Sequence, residues 1–296
     1  MDGSVARMRQ AVDIAPGVTM PLLGLGVFRI PPGRETEGAV GAALEAGYRH
    51  IDTAQAYGNE ESVGRAIRAS GLPRAEVFVT TKFDAARSDP VLELERSLER
   101  LGADHVDLYL VHTPRGGPRR AWPGMEAAFE RGMTRSIGVS NFGVADLERL
   151  LPVAGVKPAV DQVQFSPFAY RRQLLEECRS HGIEVTAYSP LTHGEELDDP
   201  TVAEVAKRHG RTAAQVLLRW AIERAVAVIP KSAHRERIVE NAAVFDFELT
   251  ADDIVRLDAL DRSGAAAIAV ERPWWTLRGR LRRVSRTARR RLSAGQ

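Results

Sequence analysis

Cysteine occurs once in this 296-residue chain, at Cys178, so no internal disulfide can form and the sequence reads as one made for a reducing compartment. A buried structural thiol is the favoured reading of it. Lysine is scarce as well: of 41 basic residues only Lys82, Lys157, Lys207 and Lys231 are lysines. No apolar run reaches membrane-spanning length and the opening residues lack a signal-peptide core, which leads us to expect a soluble, cytoplasmic protein. Acidic residues vanish at one end, where residues 272–296 hold nine Arg and no Asp or Glu. The remainder of a chain of net charge +2 therefore carries about −7 (+2 − 9). The length is large for one ordinary domain and usual for a single α/β barrel.

Strand and helix signals alternate along the chain. Val12 to Thr19, with Pro16-Gly17 at its centre, predicts a short hairpin, and Leu22 to Val27 a first barrel strand. Later strands are expected at Tyr48 to Ile51 and near 77–81, 106–111, 135–139, 159–163, 184–188 and 226–229. Helical spacing fills 34–46, 60–69, 90–101, 122–131, 144–151, 171–181, 200–209, 212–224 and 234–241. A last helix at 250–259 opens on Thr250 as N-cap with Asp253 three residues on, close to a capping box. Eight such repeats close a barrel better than an open sheet. The expected fold is an α/β, (β/α)8 TIM barrel over residues 1–271 with an N-terminal β-hairpin and extra helices, followed by the Arg-rich tail 272–296.

Four residues carry the chemistry. Asp52, Tyr57, Lys82 and His112 stand at or just past the ends of apolar strand runs, so they should converge at the carboxyl end of a parallel sheet, where barrels carry their reactive groups. Taken singly, each reads as a solvated loop residue, an ion pair or a core residue with its polar tip satisfied. The strings around them resemble the aldo-keto reductase family. Gly47-Tyr48-Arg49-His50-Ile51-Asp52-Thr53-Ala54 with Tyr57, Glu60, Val63 and Gly64 is one block. Ile137-Gly138-Val139-Ser140-Asn141-Phe142 is the central one, and Ile229-Pro230-Lys231-Ser232 with Arg237, Glu240 and Asn241 the last. The match covers most of the chain between Met20 and about Asp261, and is nearest to bacterial-type, short-loop members.

The resemblance implies reduction of an aldehyde or ketone by a nicotinamide cofactor, with Tyr57 giving the proton. A free phenol titrates near about 10, so a neighbouring cation, Lys82, is expected to lower its pKa, with Asp52 keeping the ammonium charged and His112 directing the carbonyl oxygen. Two of the four lysines thus occupy places where a compact cation is wanted, in a chain that otherwise prefers Arg. The resemblance further implies that Ser140, Asn141 and Gln162 grip the nicotinamide amide and that Tyr188 stacks on its ring. Ser189 and Leu191 follow in the same string, and the resemblance implies that the backbone near Gly26, Val27 and Phe28 lines the site close to the nicotinamide. Gly24-x-Gly26 is not read as a dinucleotide fingerprint, since it lacks the third glycine and the trailing acid, and a tight turn at the barrel mouth is the expectation. Lys231, Ser232 and Arg237 suit a phosphate better than a ribose diol, which favours NADPH over NADH. Glu240 and Asn241 would meet the adenine.

Departures from the family pattern concern the substrate. Thr113 follows His112 where Trp is frequent, Asp161 replaces Asn, Gln164 replaces Glu and Ser166 replaces His. Phe28, Thr113 and Trp122 are taken as pocket residues, with Trp274 and Trp275 as other fillers of the missing wall. The resemblance implies a small-molecule aldehyde or ketone as substrate, such as a sugar-like or dicarbonyl compound. No metal is called for, and a monomer is expected. Two other readings stand beside this one. One is a redox sensor that binds cofactor with negligible turnover. The other, not favoured, gives the Arg-rich tail contacts with nucleic acid or membrane.

Overall fold

The computed structural model describes residues 10–87, 89–117 and 119–263, so the Arg-rich tail with Trp274 and Trp275 lies outside the described residues. The hairpin pairs β1 (Ala11–Ala15) with β2 (Val18–Pro21) antiparallel, and Gly17 supplies the left-handed φ of 72° in the turn. Arg135 donates to the Gly17 carbonyl at 2.7 Å, and Met20 is fully buried against Thr186.

Eight parallel strands follow: β3 (Leu25–Gly26), β4 (His50–Asp52), β5 (Phe78–Phe83), β6 (Leu108–Val111), β7 (Ile137–Ser140), β8 (Val160–Gln164), β9 (Glu184–Tyr188) and β10 (Ala227–Val228). They pair in sequence order, and the last returns to the first. Leu23 bridges Val228, Gly24 N–H donates to the Val228 carbonyl at 2.9 Å, and Val228 N–H donates to the Leu22 carbonyl at 2.8 Å. The sheet therefore closes as a (β/α)8 barrel with an N-terminal hairpin. Near-continuous apolar strands are what a sheet buried on both faces requires.

Helices α1 (Arg34–Glu45), α2 (Glu60–Ala69), α3 (Pro90–Leu101), α4 (Trp122–Glu130), α5 (Val144–Leu150) and α6 (Arg172–Ser180) alternate with the strands. Between β9 and β10 lie two, α7 (Pro200–His209) and α8 (Ala213–Ile222), and α9 (Arg235–Ala242) and α10 (Ala251–Asp258) follow β10. Their ends are written locally. Asp89 and Asp199 cap α3 and α7, each followed by Pro at the first helical position, and Gly102 and Gly210 close the same helices with φ of 63° and 60°. Thr250 and Asp253 form the capping box at α10, with Asp253 N–H donating to Thr250 Oγ1 at 3.1 Å and Thr250 N–H to Asp253 Oδ2 at 3.0 Å.

Strand ends differ from the sequence reading by a residue or two, with one larger departure at the seam. Only Leu25–Gly26 of the expected Leu22 to Val27 strand satisfies strand geometry. Gly26 is no turn residue. A Cβ placed there would lie 2.8 Å from the Ile229 carbonyl, so glycine is needed for the close approach of first and last strands. Cys178 is fully buried, and burial pushes its thiol pKa up. Among the described residues no helix is long and apolar enough to cross a membrane.

Candidate active site

Alternation along β5 sorts its side chains. Lys82 points into the barrel, while its neighbour Thr81 faces outward and donates to Glu60 on α2 at 2.6 Å. The Lys82 ammonium is fully buried, and it donates to Asp52 Oδ1 at 2.6 Å and to the Thr53 carbonyl at 2.8 Å. Its Nζ stands 5.0 Å from the centre of the Tyr57 ring. Asp52 ends β4, and its second oxygen accepts from Gln162 Nε2, across the barrel on β8, at 2.7 Å. Both carboxylate oxygens and two of the three ammonium hydrogens thus have partners, as a buried ion pair demands.

Tyr57 ends the short 3-10 turn Gln55–Tyr57, with Gly58 behind it at φ 70°. Its ring packs 4.9 Å from Phe28 and meets His112 edge-on at 5.8 Å and 75°. The four residues expected to converge therefore do so: Asp52, Lys82, Tyr57 and His112 form one contiguous group.

Electrostatics correct the sequence reading at Tyr57. Tyr57 is half-buried, and burial raises its pKa well above 10, with Asp52 and Tyr188 adding to the rise. The expected lowering by Lys82 is not what the ion pair delivers. With Asp52 at 2.6 Å, the ammonium presents a nearly neutral pair to the phenol. Lys82 itself is lowered by burial, against which Asp52 and then Glu60 work. His112 is lowered to about 3 by burial and by Lys82, which makes it a neutral imidazole across the physiological range. The site thus holds a protonated phenol, an uncharged imidazole and a compensated ammonium–carboxylate pair.

A second cluster lies on β7, β8 and β9. Asn141, at φ 63°, donates to the His112 carbonyl at 2.9 Å and to Ser140 Oγ at 3.0 Å, and accepts from the Tyr188 hydroxyl at 2.7 Å. Ser140 donates to the Gln162 carbonyl at 2.8 Å. Ser140, Asn141, Gln162 and Tyr188 are therefore brought together, and the Gln162 amide nitrogen is committed to Asp52, a tie that spacing along the chain did not reveal. Left-handed backbone recurs here at Ser189 (φ 48°), Thr192 (φ 49°) and His193 (φ 59°). Such conformations are costly for residues with a Cβ and collect at sites where the surroundings over-determine them. Leu191 is half-buried against the core.

Past β10 the chain exposes Lys231 and Arg237 on either side of the start of α9. Ser232 accepts from the His234 N–H at 3.0 Å, and His234, the N-cap of α9, makes no side-chain capping bond. Among the described residues neither Lys231 nor Arg237 has an ion-pair partner. Two cations, a hydroxyl and an uncapped helix amino end are a donor set that fits a dianionic phosphate. Glu240 accepts from Thr212 Oγ1 at 2.7 Å, and Asn241 is buried.

Of the three residues expected in the substrate pocket, the structure excludes Trp122. Phe28 and Thr113 adjoin Tyr57 and His112. Trp122 is 1 % exposed and its indole N–H donates to the Val156 carbonyl at 3.0 Å, so it packs within the helical layer and has no open face for a substrate. Asp161, on β8, is fully buried with neither oxygen hydrogen-bonded. Burial pushes its pKa well up, against which the Phe142 backbone N–H and the Arg171 charge work. Missed at the sequence level were Asn59 and Thr53, whose side chains bond each other at 2.9 Å behind Tyr57.

Residues 23–262 match the model of the Aldo/keto reductase family. Glyoxal reductase of Bacillus subtilis is 43 % identical over 259 residues, which is 86 % of this chain and 94 % of the relative. The crystal structure of an aldo/keto reductase from Brucella melitensis superposes with a TM-score of 0.81 at 42 % identity, covering 85 % of this chain and 99 % of that one. A Bombyx mori aldo-keto reductase, solved in complex with NADP, gives 0.80 at 35 % identity over 86 % of this chain and 94 % of its own.

Proposed function

The chain belongs to the aldo/keto reductase family, and from that premise we propose that it is an NADPH-dependent reductase of small aldehydes and ketones, with Tyr57 as the proton donor. One observation carries the reading: a phenol, an ammonium paired with a carboxylate, and an imidazole share a single group, with Lys82 Nζ 5.0 Å from the Tyr57 ring and that ring 5.8 Å from His112. NADPH, when bound, supplies the hydride to the carbonyl carbon. The protein's own side chains do the rest.

Tyr57 holds its proton firmly, so it is fully loaded as an acid when the substrate oxygen becomes negative. Once that proton has moved to the oxygen, the phenolate left behind faces the Lys82 ammonium, which keeps its charge because Asp52 holds it. His112, neutral, offers a hydrogen bond that fixes the oxygen without competing for the proton. Phe28 and Thr113 wall the substrate.

For the cofactor, Lys231, Ser232 and Arg237 would take the adenosine phosphate, Glu240 and Asn241 would meet the adenine, and Ser140, Asn141 and Gln162 would meet the carboxamide. Tyr188 would stack on the ring, with Gly26, Val27, Ser189 and Leu191 completing the walls. The NADP complex of the Bombyx mori neighbour supports the cofactor, and the name of the Bacillus subtilis relative supports small dicarbonyls as the substrate class.

The test is NADPH oxidation with glyoxal and a panel of aldehydes and ketones. Wild type should turn over, and Tyr57→Phe should lose about 100-fold to 10,000-fold in kcat while binding NADPH as before. Tight NADPH binding with no turnover on any carbonyl would overturn the reading and point to a redox sensor.

A further inference from the structure

Asn59 is completely buried between three segments that each carry part of the site. Its Nδ2 donates to the Val27 carbonyl at 2.9 Å and to the Ile30 carbonyl at 3.1 Å, and its Oδ1 accepts from Thr53 Oγ1 at 2.9 Å. Both amide hydrogens and the amide oxygen are used: the hydrogens go to the two ends of one turn and the oxygen to a second segment. Val27 and Ile30 bracket the turn that holds Phe28, closed by an Ile30 N–H to Val27 carbonyl bond at 3.1 Å, with Arg29 in the left-handed region at φ 61°. Thr53 is the residue whose carbonyl accepts from Lys82 at 2.8 Å. Asn59 itself lies two residues after Tyr57, across the left-handed Gly58.

We propose that Asn59 is a positioning residue: its single amide sets the separation between the aromatic wall Phe28 and the phenol Tyr57 while tethering the segment that holds Lys82. This rests on the function proposed above. The requirement is specific to a primary amide. Two donors and one acceptor in one plane are needed; an aspartate offers no donor to the two carbonyls, and an aliphatic side chain takes one hydrogen bond from each of three buried partners. Release of the Val27–Ile30 turn also frees the strained Arg29 backbone, so Phe28 leaves its 4.9 Å contact with Tyr57 rather than staying by default.

The experiment measures glyoxal reduction per NADPH-binding site, with sites counted by cofactor fluorescence, in wild type, Asn59→Ala and the isosteric Asn59→Asp. Asn59→Asp carries the test if the alanine variant does not fold. The expected result is a fall in kcat of about 10-fold to 100-fold, the scale of a misplacement of about an ångström, with the NADPH Kd changed by less than about threefold. A global weakening of the fold would lower the number of sites and leave the rate per site alone.

The second readout is coupling to the wall. In a Phe28→Ala background, Asn59→Ala should add less than about twofold to the loss, because its target has already gone. Unchanged kcat per site in an active enzyme, or losses that multiply independently with Phe28→Ala, overturn this inference alone. An inactive wild type overturns the proposed function instead, so the two failures are distinguishable.

Discussion

Replacing Asp52 by Asn removes the one charge that Lys82 touches among the described residues and keeps the shape. The ammonium would be left fully buried with the Thr53 carbonyl at 2.8 Å and the face of Tyr57 as its surroundings. Breaking a buried pair from one side costs roughly 3–5 kcal/mol. An independent ceiling follows from proton release. Lys in the unfolded chain titrates at 10.5, so holding it neutral in the folded protein at pH 7 costs at most about 5 kcal/mol, at 1.36 kcal/mol per unit.

The sign is then fixed. In the variant the folded pKa lies far below the unfolded one, the unfolded state binds a proton that the folded state lacks, and stability rises with pH. By pH 9 the ceiling shrinks to about 2 kcal/mol. At roughly 2–4 °C per kcal/mol, Tm should fall by about 6–20 °C at pH 7 and by at most about 4–8 °C at pH 9. Combining Asp52→Asn with Lys82→Met should restore most of the loss. Urea and thermal unfolding at both pH values, with NADPH absent, make the measurement. A variant as stable as wild type at pH 7, or one whose deficit is the same at pH 9, would refute a charged, dry ion pair at this position.

With His112 lowered to about 3, the acid limb of kcat/KM should lie below about pH 4, and an inflection at 6–7 assigned to this residue by His112→Gln would contradict a neutral imidazole. Because its unfolded value is 6.5, the stability tied to His112 is complete above that pH and is lost as pH falls toward 3. Arg237→Ala should weaken NADPH by about 10-fold to 100-fold in titrations while NADH changes less than about twofold; equal losses would remove the phosphate assignment. Trp122→Ala should cost roughly 3–5 kcal/mol in urea unfolding with the carbonyl KM unchanged, whereas a raised KM at unchanged stability would return this indole to the substrate pocket.

The order of elements was readable because a parallel barrel repeats one unit, and each repeat carries its own signals. Asp89-Pro90 and Asp199-Pro200 announce helix starts, and their helices span the predicted 90–101 and 200–209. Asp52, Lys82 and His112 were legible for the same reason: each stands at a strand end, and adjacent strands put strand ends together. What stayed hidden crosses the barrel or depends on depth. The bond from Gln162 to Asp52 joins residues 110 apart, and no local pattern encodes it. The rise in the Tyr57 pKa could not be foreseen from a neighbouring lysine, since its direction turns on how fully Asp52 neutralises that lysine and how dry the hydroxyl is. Trp122 looked like a candidate wall by composition, yet position one of a helix told nothing of the face it presents. Asn59 sat unnoticed between Tyr57 and Glu60 because an asparagine before a helix is ordinarily its N-cap, whereas here its side chain makes no cap bond and is turned inward.

The seam at Gly26 and Ile229 has a bearing on how the molecule is assembled. Asp52, Tyr57, Lys82 and His112 all lie within the first 112 residues, whereas the strand that seals the ring begins at Ala227 and the basic segment beside α9 follows it. Joining ends some two hundred positions apart is slow, because the loop entropy must be surrendered before the contact rewards it. On the function proposed here, a nascent chain therefore carries Asp52, Tyr57, Lys82 and His112 more than a hundred residues before Lys231 and Arg237 are made.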